Sequence, residues 1–201
     1  MSRRAVTPVE RQPRIAVVSK RSAYREKVEE QKDARIRRLL AKGDPSVARL
    51  RASHDEHEAT MTEVMAALSV LGVDVVFQGR AGESFDSTNL DLVITVGGDG
   101  TLLSASHCVA NVPVLGINSA PSHSVGFFCG AQRGHAAEAI GRALRGELRR
   151  AVLTRMQVRQ NGEVVHARVL NEALFCHISP AATSRYLMSF RGIEEEQKSS
   201  G

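Results

Sequence analysis

Three glycines surround one aspartate at residues 96–101, which read VGGDGT and end the apolar run 92–96. Glycines at the carboxyl end of a strand permit a tight turn and let backbone N–H groups approach a phosphate without an intervening Cβ. The helical pattern that follows would direct the positive end of its dipole to the same place. This segment therefore supplies a candidate phosphate cradle, formed by Gly97, Gly98, Gly100 and Thr101.

The carboxylate inside this cradle needs a separate explanation, because Asp99 would repel a bound phosphate. Phosphoryl transfer supplies one: an aspartate can accept the proton of an attacking hydroxyl, or help to position a magnesium ion, while backbone dipoles hold the donor phosphates. The alternative is a simple turn in which Asp99 caps the next helix. The position between an apolar strand and a helix favours phosphate chemistry. The chain contains neither a GxGxxG nor a GxxxxGK[ST] motif.

The elements that would position this segment alternate between short apolar strands and longer helical patterns. Strands are predicted at residues 14–20, 72–79, 91–96 and 112–118, and helices at 24–42, 47–71, 101–109 and 135–144. The strands are apolar on both faces, which favours a parallel sheet covered by helices on each side. We therefore predict an α/β, Rossmann-like domain over residues 1–147, followed by an incomplete β-rich domain over residues 148–201.

The pattern changes in about the last 54 residues. Apolar and polar residues there alternate with a period of two, and turn signals separate the alternating segments. Two alternating segments are joined across Asn161-Gly162, a strong hairpin signal. A third strand is predicted at residues 185–190, followed by a polar tail at 194–201. Such a small set of strands exposes sheet edges, so we expect either that the chain is a fragment or that a homo-oligomer completes the β-rich domain.

Composition and charge exclude several classes of protein. With 42% hydrophobic and 24% charged residues, the chain has the make-up of a globular protein, and no apolar run reaches the roughly 18 residues of a membrane span. Residues 1–50 carry 14 basic and 6 acidic side chains, but the acids are interspersed at helical spacing. We interpret this segment as a solvated helix rather than a nucleic-acid site.

The cysteines and histidines show no metal-ligand pattern. Cys108, Cys129 and Cys176 lack CxxC spacing, so we expect reduced thiols and no zinc site. His54 and His57 lie three residues apart without a third ligand, and we expect them on a solvated helix face. The N-terminus lacks the apolar core of a secretory signal, which favours a cytoplasmic location and leaves an organellar one open.

Four segments resemble, in order and spacing, the NAD kinase family: VGGDGTLLSAS, VPVLGINS, VGFF and LNEAL, with RIAVVSK at the start of the same domain. The resemblance implies transfer of the terminal phosphoryl group of ATP, with Mg²⁺, or of polyphosphate, to the adenosine ribose 2′-hydroxyl of NAD, giving NADP. The GGDG motif is shared with lipid kinases of the diacylglycerol kinase type and resembles a phosphofructokinase motif. The lipid kinases typically continue with a GTxNDF-like segment, which this chain lacks.

The resemblance also implies roles for single residues. Asp99 would be the catalytic base and, with Gly100, would contact NAD, while the other residues of the cradle would face the donor phosphates. Phe127 would pack against the adenine, and Asn171 and Glu172 would hydrogen-bond the dinucleotide. Asn118 would also lie against NAD. No protein-bound metal site is expected beyond the Mg²⁺ that accompanies ATP.

Two departures from the family pattern stand out. The usual GxNxGxLGF spacing is lengthened to GINSAPSHSVGF, with Ala120 where a glycine is expected. A GSTAY-like segment that contacts NAD in the family is absent. The remaining alternatives are another GGDG kinase, acting on a lipid or sugar hydroxyl, and a nucleotide-binding module without catalysis.

Overall fold

The computed structural model describes residues 11–179 and 182–199, and its main feature is a five-stranded parallel sheet. The strands are β1 (Arg14–Ser19), β2 (Asp74–Arg80), β3 (Leu92–Gly97), β4 (Val114–Asn118) and β5 (Ala131–Gln132), in the spatial order β2-β1-β3-β4-β5. The predicted parallel sheet is confirmed. Strand order reverses between β1 and β3, and such a switch point leaves a crevice at the carboxyl ends of the strands.

Helices cover both faces of this sheet, as the apolar strands predict. The helices are α1 (Ala34–Ala41), α2 (Pro45–Val70), α3 (Asp99–Ser106) and α4 (Ala136–Leu144). One face packs against α2 and α4 through Ile15, Val17, Ile94, Ile117, Val64, Leu68 and Ile140. The other face packs against α3 and the loops beside it, through Ala16, Val18, Val93, Ala105 and Val109. Alternate residues of each central strand therefore enter opposite cores, because side chains alternate across a strand.

The single helix predicted at residues 24–42 is wrong. A π-helical segment, Arg25–Glu30, ends before α1, and Lys32 between them has φ +53°. The Asp33 carboxylate then accepts hydrogen bonds from the N–H groups of Arg35 and Ile36 and caps α1. Local capping explains why the helix is divided. An aspartate that accepts hydrogen bonds from two helix N–H groups starts a new helix within an otherwise helical pattern.

The β-rich segment forms two separate antiparallel pairs. Strands β6 (Met156–Gln160) and β7 (Glu163–Val169) are joined at Asn161-Gly162, where both residues have positive φ, and this hairpin is confirmed. Strands β8 (Ser184–Phe190) and β9 (Ile193–Ser199) are joined at Arg191-Gly192, which have φ +52° and +81°. The predicted polar tail is therefore wrong at residues 194–199, and its last two residues lie outside the described part of the chain.

Arg155 links this segment to the α/β unit through three hydrogen bonds. Arg155, just before β6, donates hydrogen bonds to the carbonyl oxygens of Ser106, Val109 and Ala110 at 2.8, 2.6 and 2.5 Å. These carbonyls lie at and after the carboxyl end of α3, where a cation is favoured by unpaired acceptors and by the helix dipole. The predicted boundary between residues 147 and 148 stays a prediction.

Two histidines of α2 are buried, contrary to the solvated face expected from the sequence. His54 and His57 are only 8% and 2% exposed. The His54 Nδ1 atom lies 2.8 Å from Ser22 Oγ and the ring stacks on Tyr24, while His57 Nδ1 lies 3.0 Å from Ser119 Oγ. The helix is covered on this side by the segment after β1 and by the loop after β4. Residue periodicity shows which positions share a face but not what covers that face.

Burial lowers the pKa of His57 to about 3, and the positive charge of Lys20 is the next largest cause.

No helix in the described ranges 11–179 and 182–199 is long and apolar enough to cross a membrane. Helix α2 packs against α1, α4 and the sheet, and it also contacts the polar loop after β4.

We predict that this histidine makes the fold less stable in acid. Its folded-state pKa lies below the unfolded value, so the unfolded state binds a proton that the folded state excludes, and stability falls as pH drops below about 6.5. The loss from this group reaches about 2 kcal/mol at pH 5. Urea unfolding at pH 7 and pH 5 measures it.

In that experiment, His57→Gln should reduce the pH dependence, since glutamine can keep a hydrogen bond to Ser119 without titrating. The exposed His135 gives the matched control, and His135→Gln should leave the dependence unchanged. An equal pH dependence in wild type and His57→Gln would contradict the prediction.

Candidate functional site

The GGDG segment lies at the carboxyl end of β3 and forms the start of α3. Gly97 is the last residue of β3, Gly98 is the N-cap of α3, and Asp99 is the first helical residue. A Cβ at Gly97 would overlap the hydroxyl of Thr101, and one at Gly98 would lie 2.7 Å from Ser124 Oγ. A side chain at Gly97 would also lie 2.8 Å from the Thr101 Cβ and has no room, whereas at Gly98 only the rotatable Ser124 hydroxyl would have to move.

The start of α3 offers unpaired backbone donors to this edge of the sheet. Gly98 has no side chain that could cap the helix, and its carbonyl accepts the Thr101 N–H at 3.1 Å. The first N–H groups of a helix have no intrahelical partner, and the helix dipole makes this end attractive to anions. These donors lie where the sequence predicts a phosphate cradle, and phosphate binding there stays a prediction.

The Asp99 carboxylate is held by two backbone N–H groups of another loop. Phe127 N–H donates to Oδ2 at 3.0 Å and Phe128 N–H donates to Oδ1 at 2.7 Å. Each oxygen has one donor, so the rotation of the carboxylate is fixed while lone pairs remain on both oxygens. An aspartate fixed in this way can accept a proton from a hydroxyl placed beside it.

The thiol beside this carboxylate is not a nucleophile. Burial raises the pKa of Cys129 to about 11, and the charge of Asp99 contributes in the same direction. The thiol is therefore protonated at neutral pH, and nucleophilic attack requires the thiolate. Asp99 rather than Cys129 is therefore the candidate reactive group at this site.

Asn118 organises the loop that carries the two phenylalanines. Its Nδ2 donates to the carbonyl oxygen of Ser124 at 2.8 Å, and its Oδ1 accepts from the Ala120 N–H at 3.3 Å. Asn118 is only 3% exposed. Gly126 packs directly against it with φ +64°, and a Cβ there would lie 2.5 Å from Asn118 Nδ2. The lengthened loop is thus folded around one buried amide.

Helix α2 stabilises the loop after β4 through two buried side chains. The Thr60 hydroxyl donates to the carbonyl oxygen of Ser119 at 3.0 Å, and His57 lies against the Ser119 hydroxyl. Ser119 N–H donates to the carbonyl oxygen of Gly97 at 3.1 Å, which links the loop to the GGDG segment. The sequence does not identify His57 and Thr60 as positioning residues. Helical spacing places them on one face of α2, but it does not distinguish a covered face from a solvated one.

The structure brings most of the predicted site residues to one edge of the sheet. Gly97, Gly98, Asp99, Gly100, Thr101, Asn118 and Phe127 lie on β3, the start of α3, the end of β4 and the loop after it. Phe127 is 81% exposed, so its ring is free to receive a planar ligand. Asn171 and Glu172 are different: they are exposed, hydrogen-bond each other, and make no hydrogen bond to the GGDG segment within the described residues.

Two surface clefts border this site without including Asp99. One, of about 550 Å³, is lined by Asn118, Gly126, Cys129 and residues of α4. The other, of about 870 Å³, runs between α2 and the carboxyl ends of β1 and β2, and its lining includes Ser19, His57 and Arg80. The described residues contain no cluster of three or more His, Cys, Asp or Glu side chains that could hold a metal ion. The aspartate thus stands at an open edge between two clefts.

We predict that Gly126→Ala disrupts the support of Asp99. Alanine would combine an unfavourable positive φ with a clash against the Asn118 amide, and we expect a loss of about 1–3 kcal/mol in unfolding free energy. The amide protons of Phe127 and Phe128 should exchange faster, because their hydrogen bonds to Asp99 would be strained.

Gly134→Ala is the matched control for this substitution. Gly134 also has positive φ, at +84°, but a Cβ there would meet nothing within 4 Å. Urea unfolding and amide hydrogen exchange should show the smaller loss for Gly134→Ala. Equal losses would mean that the contact with Asn118 has no energetic weight.

Comparisons with known proteins show the family of this chain. Residues 15–148 match the model of the ATP-NAD kinase N-terminal domain. A probable NADH kinase of Oryza sativa subsp. japonica is 33% identical over 151 residues, which cover 67% of this chain and 46% of that protein. The NAD kinase 2, mitochondrial, of Xenopus tropicalis is 31% identical over 151 residues, covering 69% and 35%.

An archaeal relative, the NAD kinase of Methanopyrus kandleri, is 31% identical over 109 residues, which cover 53% of this chain and 38% of that protein. The chain thus spans less than half the length of each of these curated relatives. The matching region contains the whole parallel sheet and the GGDG segment. Since the family model covers more than half of the sequence, the chain belongs to the NAD kinase family.

Proposed function

We propose that this protein transfers the terminal phosphoryl group of ATP to the adenosine ribose 2′-hydroxyl of NAD, forming NADP. The observation that carries the proposal is the Asp99 carboxylate, fixed by the Phe127 and Phe128 N–H groups beside a glycine-lined helix start. This arrangement places a proton acceptor next to a phosphate cradle. Membership of the NAD kinase family supports the choice of acceptor.

The reaction divides between Asp99 and the cradle. The 2′-hydroxyl oxygen attacks the terminal phosphorus of ATP, the bond from that phosphorus to the bridging oxygen breaks, and ADP leaves. Asp99 takes the hydroxyl proton, so the attacking oxygen does not develop a positive charge. The N–H groups at the start of α3 stabilise negative charge on the transferred group, because they are already oriented before the reaction.

Mg²⁺ would enter this site with the triphosphate. Mg²⁺ in kinase sites is held by one or two carboxylates together with substrate phosphates and water. Asp99 is a carboxylate at the edge where the cradle would hold those phosphates, which fits such a share in metal binding. A bound Mg²⁺ would offset charge on the phosphate oxygens. Inorganic polyphosphate presents the same chain of phosphates and is the second donor that we propose.

The acceptor would be held from two sides. The exposed Phe127 ring would stack on the adenine, as aromatic side chains do with planar bases. We assign Asn171 and Glu172 to the hydroxyl and amide groups of the dinucleotide, since an amide donates and accepts while a carboxylate only accepts. Two curated relatives are named as NADH kinases, so the reduced dinucleotide is the alternative acceptor to be compared.

We also propose that the protein assembles as a homo-oligomer. Both antiparallel pairs are only two strands wide, and large apolar side chains are exposed on β8 and on the segment that joins β7 to β8: Leu174, Phe175, Ile178, Leu187 and Phe190. Two-stranded sheets bury little by themselves, so neighbouring strands are expected to cover them. The proposed location is the cytoplasm, and relatives named as mitochondrial make an organelle the alternative.

We expect Asp99→Asn to lower the rate of NADP formation by about 10² to 10⁴, the range of general acid-base contributions. Asparagine keeps a hydrogen-bond acceptor for one N–H group but cannot take the proton. The measurement is NADP formed from NAD, ATP and Mg²⁺, with NADH and polyphosphate as parallel substrates. Asp55→Asn, on the exposed side of α2, is the control and should retain the wild-type rate.

Other outcomes of this assay point to other functions. A rate for Asp99→Asn within a few-fold of wild type would remove the aspartate from the mechanism. Phosphorylation of a lipid or sugar with no NADP would indicate another GGDG kinase. Binding of NAD or ATP with no NADP would indicate a module without catalysis.

Phe127→Ala should raise the KM for NAD by about tenfold and change kcat much less, because stacking is present in both the ground state and the transition state. The ring is 81% exposed, so its removal should cost the fold little. Val125→Ala, at a neighbouring position that is 91% exposed, is the control. An unchanged KM for NAD would place the adenine elsewhere.

A further inference from the structure

Lys20 lies on the other side of the sheet's switch point from the GGDG segment. It follows β1 directly, and its N–H donates to the carbonyl oxygen of Val96 at 2.9 Å, so that it continues the pairing with β3. A Cβ built at Gly97 would lie 3.1 Å from the Cβ of Lys20 and would overlap the Thr101 hydroxyl. The stem of Lys20 and the cradle therefore lie next to each other at the carboxyl edge of the sheet, where ligands of such sheets bind.

The Lys20 ammonium has weak partners for a half-buried cation. Its side chain makes one hydrogen bond, to Ser53 Oγ, at the long distance of 3.4 Å. Within the described ranges, no carboxylate oxygen lies within 4.0 Å of its Nζ, whereas the neighbouring Arg21 and Arg25 are both ion-paired. Burying an ammonium group without a close counter-charge is costly.

The nearest acidic side chain, Glu56, relieves this cost only in part. Burial lowers the pKa of Lys20, and the attraction of Glu56 opposes that shift. Yet Glu56 Oε2 is buried with no hydrogen-bond partner among the described residues, so the ammonium is not bound to it. Lys20 is thus a half-buried cation that can still take an anion.

We propose that Lys20 binds the terminal phosphate of the donor at the Gly97–Thr101 side of the switch point. The inference rests on the proposed function and adds a residue to it. An ammonium group is a compact charge suited to a single phosphate. A cation beside the phosphate would also offset the repulsion between that phosphate and the Asp99 carboxylate.

The direct test is protection of the Lys20 amine from acetylation. The protein is treated with an amine-acetylating reagent, with and without saturating inorganic tripolyphosphate or ATP, and each lysine is quantified by mass spectrometry. We expect labelling of Lys20 to fall by about fivefold or more, because phosphate would hold the amine in its protonated, unreactive form. The exposed Lys27 serves as the internal reference. Equal labelling of Lys20 with and without phosphate would overturn the proposal.

Kinetics provide the second measurement. Lys20→Met keeps the length of the stem and removes the charge, and we expect the KM for ATP to rise by about tenfold or more with little change in the KM for NAD. Lys20→Arg should recover part of the loss, and Lys27→Met should behave as wild type. A Lys20→Met enzyme with an unchanged KM for ATP and an unchanged kcat would refute the role of Lys20.

The two hypotheses fail in different ways. If wild type forms no NADP while Lys20 is still protected by tripolyphosphate, the proposed function fails and the phosphate site stands. If wild type forms NADP while Lys20 is unprotected and Lys20→Met is fully active, the phosphate site fails and the proposed function stands. A thermal unfolding curve for each variant separates loss of binding from loss of fold.

Discussion

The Phe127 and Phe128 N–H groups donate hydrogen bonds to Asp99, which lies 28 and 29 residues before them in the sequence. These hydrogen bonds join two distant segments of the chain. One segment is the start of α3, and the other is the end of a loop that follows β4. A carboxylate that accepts one N–H group on each oxygen cannot rotate freely, and the loop that supplies the donors cannot move away. The position of the candidate base and that of the exposed Phe127 ring are therefore set by the same contact.

This contact depends on a chain of buried polar interactions that leads back to α2. Asn118 folds the loop, Gly126 packs against it, and Ser119 is held by His57 and Thr60. Each of these groups is neutral, which suits a buried position, because uncharged hydrogen-bonded pairs avoid the large cost of desolvating a charge. Lys20 departs from this rule at the same edge, and an anionic ligand would compensate for it.

Several parts of the structure could be predicted from the sequence because they depend on local patterns. Apolar segments predicted the four long strands of the sheet, and Asn161-Gly162 predicted a hairpin. Other parts could not be predicted. The strand β9 is polar, and backbone pairing with β8 rather than apolar alternation makes it a strand. The break after the π-helical segment rests on one capping aspartate.

What the sequence determined by itself is the kind of fold and the place of a candidate phosphate site. GGDG after an apolar strand specifies backbone donors around a carboxylate, and strands apolar on both faces specify a covered parallel sheet, since both depend on neighbours in sequence. Only the tertiary structure decided which groups hold Asp99, that His57 is buried, and that Lys20 lies beside Gly97. Those relations join segments far apart in the chain, and they follow from the order of strands and the packing of α2, which residue spacing does not encode.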